Sequence, residues 1–328
     1  MQIFKFNSIL KPVLWGGDKL VEFKQLPQTD SPIGESWELS AITGNESVVA
    51  NGDDCGLTLT ELIRRYGAAL VGENVYRRYG DRFPLLFKFI DAKRDLSIQV
   101  HPDDEMAMRC HGCTGKNEMW YIVQADEGAV IRAGFNRPVT PEEYERHIED
   151  GTILDVVNAI PACAGDAFFI PAGQIHSIGT GNLLVEIQQS CDITYRVYDY
   201  NRRDADGNLR ELHTRQAREA LNFTPVDSKI HDTEDIMPGV TRLYCSPIFD
   251  VWHVEFKRHF TLPLEQPHSF AAIMCLEGKM TLSIAGEQPV ALKRGETALI
   301  PAVADELSMT GHGELLVTTV PNTMTTNQ

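Results

Sequence analysis

No stretch of the sequence approaches the roughly 20 consecutive apolar residues that a membrane-spanning helix requires. Met1 to Ile9 alternate apolar and polar side chains like a strand and lack the apolar run of a signal peptide, so a cytoplasmic protein is expected. Basic residues are in short supply: 30 Lys and Arg stand against 46 Asp and Glu, a net charge of −16. That balance argues against a general nucleic-acid partner, whose binding surface must be basic. An anionic ligand can still bind, provided cations are concentrated in one pocket. The seven cysteines are odd in number and scattered, which fits a reducing compartment better than a disulfide framework.

What is present reads as short strands. At 328 residues and 43% hydrophobic side chains, the chain has the length and the apolar content for two domains. Apolar or alternating runs such as Leu85–Ile90, Leu96–Val100, Met119–Val123, Ala167–Ile170 and Leu183–Ile187 are punctuated by Gly, Pro, Asn and Asp. That is the pattern of an all-β sandwich or barrel. Helices are expected only as insertions, over about 58–80, 103–113, 140–150 and 210–221. The first opens on a Thr58-x2-Glu61 capping box, and the third on Thr140, Pro141 and Glu142 as N-cap, first-turn Pro and first-turn acid.

A weak internal repeat divides the chain. Gly165–His176 is echoed by Gly295–Glu306, with the Gly, the Ile-Pro-Ala triplet and the spacing retained and the last His replaced by Glu306. We therefore expect a catalytic unit over 1–226 carrying the helical insertions, a linker over 227–239, with Asn201–Asp206 a polar, charged stretch inside the first unit. A second unit over 240–328 would have lost its metal site.

The first copy, Gly165-x5-Pro171-x-Gly173-x2-His176, matches the second sequence motif of cupin barrels as far as the His. Its glycines and proline turn the chain between strands, and His176 points from a strand into the barrel mouth. The fold expected is thus all-β, a double cupin of two jelly-roll domains. Upstream, Gln99 and His101 are two residues apart and share one face of a strand, and Glu118 opens another strand. Gln99, His101, Glu118 and His176 together offer two imidazoles, a carboxylate and an amide oxygen. This mixed set suits one Zn²⁺ per chain with coordination room left for substrate. A lone strand histidine is more often structural, but the full motif spacing and three partners outweigh that reading. Cys110-x2-Cys113 is a weaker metal candidate, since a structural zinc site needs four ligands.

The sequence resembles the type I mannose-6-phosphate isomerases of the short bacterial form. The segments that carry the resemblance are Lys11–Gly17, Gly34–Glu38, Pro84–Lys88, Leu96–Asp104, Gly115–Glu118, the cupin motif and Asp192–Tyr200. The likeness spans the chain but is dense only over 1–205. It implies one zinc on Gln99, His101, Glu118 and His176, interconversion of mannose 6-phosphate and fructose 6-phosphate, and Lys88, Lys116, Asp192 and Arg196 near the sugar phosphate. Longer members carry a Pro where this chain has Asn117 and a His where it has Gly115, so no role of that His transfers.

Aldose–ketose isomerisation needs a base beside the carbon acid and stabilisation of charge on oxygen. Lys116 and Asp192 both qualify as the base, and Asp192 could equally hold Arg196 in place. Arg196, as a fork, and Lys88, as a point charge, are the expected phosphate partners. Trp15 and Trp37 are read as core. Two other readings stand beside this one: a metal cupin oxygenase, disfavoured by Gln99 where such sites carry His, and a non-catalytic sugar-binding cupin.

Overall fold

The strand Leu85–Ala92 is buried at every position, which requires packed layers on both of its faces. In this computed structural model, which describes residues 1–28, 31–203, 206–264 and 269–322, it lies inside a six-stranded sheet. The order across that sheet is Ala167–Ile170, Glu118–Ala125, Asn182–Gln189, Leu85–Ala92, Ile33–Leu39 and Ile9–Gly17. All its pairings are antiparallel. The two-residue period sorts its side chains. Phe87, Phe89, Met119, Tyr121, Val185 and Ile187 enter one core. Ile90, Trp120, Ile122 and Leu184 enter another, on the opposite side.

That second core is closed by a five-stranded sheet ordered Val157–Pro161, Val130–Phe135, His176–Ile178, Ile98–Val100 and Tyr195–Tyr198. Ile131, Ala133 and Ile178 pack from it onto Trp120 and Ile122. The two sheets form the first jelly roll, and its charged interior residues, Lys88, Glu118 and Glu186, are all buried. The second jelly roll is a ten-stranded sheet curled around Val254, Ile273, Leu307 and Val317. The halves meet through the first core, where Phe249, Phe270, Met274 and Leu316 join Phe87 and Phe89.

The helical insertions fall where expected. Leu59–Tyr66 and Pro141–Glu149 carry complete capping boxes on Thr58 and Thr140, and Asp104–His111 is capped by Asp103. The insertion expected over 210–221 is shorter, Thr214–Ala220, because the His213 backbone N–H donates to the Arg196 carbonyl at 2.7 Å and holds the preceding residues extended. A helix over Lys19–Lys24, without a side-chain cap, was not expected.

Two organisational expectations need correcting. The strands Phe4–Asn7 and Val48–Val49 belong to the sheet of the second half, with Phe4 opposite Leu299, so residues 1–226 are not a self-contained unit. The stretch 227–239 is no free linker either. The Phe169 N–H donates to the Ser228 carbonyl at 2.8 Å and the Ile230 N–H to the Ala167 carbonyl at 2.9 Å, covering an edge strand that would otherwise be unpaired. Glu234–Met237 is then already a strand, paired with Val240–Cys245. Residues 323–328 of the expected second unit, and Asp204 and Ala205 of the polar stretch, lie outside the described residues.

Candidate metal centre

Three strands of the first jelly roll deliver the expected ligand residues to one point. His176 opens its strand directly opposite Gln99, and Glu118 opens another. His101 follows the strand Ile98–Val100 by one residue. His101 Nδ1 donates to the Ile193 carbonyl and His176 Nδ1 to the Gln174 carbonyl, both at 2.8 Å. With the proton on Nδ1, each ring turns an Nε2 lone pair inward. These two Nε2 atoms face each other at 3.1 Å.

Protonation of the rings is disfavoured. Burial pushes both imidazoles below the ordinary histidine value, His101 far below and His176 to about 4. Glu118 Oε1 lies 3.2 Å from His101 Nε2, and its Oε2, 3.6 Å from His176 Nε2, is buried without a hydrogen-bond partner. Two converging lone pairs and an orphaned carboxylate oxygen are the donor set of a cation site, and the ligand atoms of the three residues fall within 4.8 Å of one another. The Gln99 amide reaches the same point, its Nε2 3.3 Å from His176 Nε2. Turned over, the amide would offer its oxygen instead.

Cys110-x2-Cys113 joins no such cluster among the described residues. Cys110 is exposed, and Cys113 turns toward Cys191.

A cavity of about 230 Å³ opens beside the cluster, lined by Gln99, Lys88, Lys116, Asp192, Arg196 and further residues. The Lys116 ammonium is buried 3.2 Å from His101 Nε2 and in close contact with the Glu118 carboxylate; burial, with Lys88 nearby, lowers it to about 8. Asp192, raised by burial, lines the cavity with no hydrogen bond or ion pair among the described residues. It does not hold Arg196, which donates instead to the Glu211 carbonyl at 2.8 Å and keeps its Nε buried and unpartnered.

Lys88 is not the isolated point charge that a phosphate partner would be. Its ammonium sits 2.9 Å from Glu186 and 3.7 Å from Glu35. Burial alone would lower its pKa, but Glu186, Glu35 and Asp192 together raise it above the ordinary lysine value.

Glu186, Glu35 and Arg210 also line this cavity, and none was singled out from sequence. Glu186 lies directly opposite both Lys88 and Trp120 in the sheet and accepts from Trp120 Nε1 at 2.9 Å. The available signal was a charge in the middle of the apolar run Leu183–Ile187. Arg210 fell inside a segment read as helical. It sits 3.2 Å from Asp199, which Arg202 also grips at 3.1 Å. Arg196 and Arg210 thus line the same cavity as Glu35, Glu186 and Asp192, and Arg202 shares the Asp199 carboxylate with Arg210.

Two antiparallel jelly rolls, one of them with a buried His-Glu-His cluster at a polar cavity, define a metal-site bicupin. Residues 3–128 match the family model for the catalytic domain of type I phosphomannose isomerase, and residues 246–320 match that for the cupin domain of mannose-6-phosphate isomerase. The mannose-6-phosphate isomerase ManA of Bacillus subtilis is 36% identical over 95% of this chain and 97% of its own length. The mannose-6-phosphate isomerase of Streptococcus mutans is 33% identical over 94% and 96%. The crystal structure of the mannose 6-phosphate isomerase from Bacillus subtilis superposes with a TM-score of 0.87 at 32% identity, covering 97% of this chain and 99% of that one. The chain belongs to the type I phosphomannose isomerase family.

Proposed function

We propose that the chain is a metal-dependent aldose–ketose isomerase that interconverts mannose 6-phosphate and fructose 6-phosphate. The observation that carries this reading is the polarity of the cavity. Beside a cation-ready cluster, the carboxylates of Asp192 and Glu186 and the guanidiniums of Arg196 and Arg210 line one cavity, in a protein of net charge −16. A sugar phosphate is neutral at its reacting end and dianionic at the far end, so it can use both the cluster and the guanidiniums.

His101, Glu118 and His176 would hold the ion, with the Gln99 amide oxygen as a fourth ligand. Two nitrogens and two oxygens favour zinc. When bound, such an ion supplies Lewis-acid stabilisation of negative charge developing on sugar oxygen. Asp192 takes the proton from C2 of the aldose and returns it to C1, since it is the cavity carboxylate free of a partner and burial makes it more basic. Lys116 is placed to donate hydrogen bonds to sugar oxygens beside the cluster. Arg196 receives the phosphate with its fork. Lys88 keeps Glu186 ionised and fixed, a role that replaces the phosphate contact expected for it from sequence.

The test is a coupled isomerase assay over a panel of aldose and ketose phosphates, with and without chelator. Chelator-sensitive turnover of mannose 6-phosphate is expected, and Asp192→Asn should abolish exchange of the C2 proton with solvent. Metal-loaded protein that turned over no sugar phosphate would leave only a binding cupin, and oxygen uptake would mark an oxygenase.

A further inference from the structure

Cys113 and Cys191 stand 78 residues apart in sequence, yet their sulfurs lie 3.6 Å from each other. Neither is part of the metal cluster or of the cavity lining described above. They do sit on the two chain segments that build one wall of the site. Cys113 lies three residues before Lys116, and Cys191 immediately precedes Asp192. The segments are already stitched together: Asn117 N and Nδ2 donate to Gln189 Oε1 at 3.0 and 2.6 Å, and the Gln189 N–H donates to the Asn117 carbonyl at 3.2 Å. Two residues past Cys191, the Ile193 carbonyl fixes the His101 ring.

We propose that Cys113 and Cys191 are a redox-active pair, and that their oxidation to a disulfide by a peroxide switches this site off. Cys113 is half-exposed, whereas Cys191 is buried. Burial pushes the Cys191 thiol up to about 12, so the reaction starts at Cys113. The Cys113 sulfur attacks one peroxide oxygen and the O–O bond breaks. The departing hydroxide takes up the thiol proton as water, leaving Cys113 as the sulfenic acid. The Cys191 sulfur then attacks the Cys113 sulfur and the S–O bond breaks. The released hydroxide leaves as a second water with the Cys191 proton. Two thiols are oxidised by two electrons and one peroxide is reduced to two waters.

Disulfide sulfurs lie about 2.05 Å apart, so the two must close by about 1.5 Å. The nearby backbone has little room to absorb that movement without shifting the site. A Cβ on Gly115 would lie 2.6 Å from the Asp103 carbonyl carbon, and the Gly115 N–H is held by Asp104 at 2.8 Å. The displacement therefore reaches Lys116, Asp192 and the Ile193 carbonyl. A misplacement of about 1 Å at reacting groups can cost about 100-fold in rate, so a roughly 10- to 100-fold loss of kcat/KM is expected.

The experiment treats reduced, metal-loaded full-length protein with hydrogen peroxide and blocks free thiols. The bridges are then mapped by non-reducing digestion and mass spectrometry, with isomerase activity followed before and after dithiothreitol. A Cys113–Cys191 peptide, with loss of activity that dithiothreitol restores, is the expected result. Cys113→Ser and Cys191→Ser should keep the activity of the reduced enzyme and lose the reversible inactivation, whereas Cys110→Ser should stay sensitive. A Cys110–Cys113 bridge, both sulfurs still free after treatment, or a Cys113–Cys191 bridge without loss of activity would each overturn the proposal. The activity arm rests on the isomerase reading and the mapping arm does not, so an enzyme inactive even when reduced would count against that reading alone.

Discussion

Glu186→Gln isolates what the buried charge network contributes. The carboxylate is 4% exposed, 2.9 Å from Lys88 and 4.0 Å from Lys116. Burial alone would raise its pKa, but the two lysines reverse that and hold it at about 2, against an ordinary 4.5. At about 1.4 kcal/mol per unit, that depression corresponds to about 3 kcal/mol of folding stability at neutral pH. An independent route gives a similar figure, since removing one partner of a buried ion pair costs about 3–5 kcal/mol. Glutamine keeps the shape and can still accept from Trp120 Nε1, so the charge is what the substitution removes. The folded pKa lies below the unfolded one, so this stability is fully present above about pH 4.5 and is lost as the pH falls toward the folded value. Urea unfolding of wild type and variant at equal metal content should therefore differ by about 3 kcal/mol between about pH 5 and pH 6, below the range in which Lys116 loses its proton. A gap under about 0.5 kcal/mol, the range of an unremarkable surface change, would refute the reasoning.

Further substitutions probe the rest of the site and the join between halves. His176→Ala should strip both bound metal and activity, measured by elemental analysis and coupled assay, while Glu306→Ala should leave both at wild-type levels. Arg196→Ala should lower kcat/KM for mannose 6-phosphate by about 30- to 1000-fold, the equivalent of about 2–4 kcal/mol for a lost charge-assisted contact, with free mannose far less affected and Arg196→Lys recovering only part. Equal slowing of both sugars would move Arg196 from phosphate recognition to the reacting carbons. Phe270→Ala removes a fully buried ring whose centroid lies 4.7 Å from that of Phe83, tilted against it across the two halves, and should cost about 3–5 kcal/mol in denaturant unfolding.

The candidate ligand residues could be singled out because their chemistry is tied to spacing. A turn of fixed length sets His176, and a two-residue interval puts Gln99 and His101 on one face. The capped helices were legible for the same reason, as Thr58 and Thr140 bond within their own first turns. Glu186 was not, because its meaning depends on which strands flank it. Only the register that sets Lys88 and Trp120 on either side turns a charge in an apolar run into the middle of a network. The pairing of Phe4 with Leu299 is beyond local sequence for a similar reason, since nothing near residue 4 specifies a partner nearly 300 positions away.

Among the described residues, the same register separates the second jelly roll from the first. In the first half Ile170 pairs with Glu118, and in the second Ile300 pairs with Ala271. His176 stands opposite Gln99, and Glu306 opposite Pro263. The positions of Glu118, His176 and Gln99 therefore correspond to Ala271, Glu306 and Pro263, of which only one offers a donor side chain. The sequence echo exposed the loss at Glu306 alone; sheet pairing adds the other two. What the second half retains is its apolar surface: Phe270, Ala272 and Met274 press against the sheet whose opposite face carries Lys88, Glu118 and Glu186. Sealing that back face excludes water from behind the charged network, and a dry network is the condition under which lysines and carboxylates a few ångströms apart interact strongly enough to fix the site.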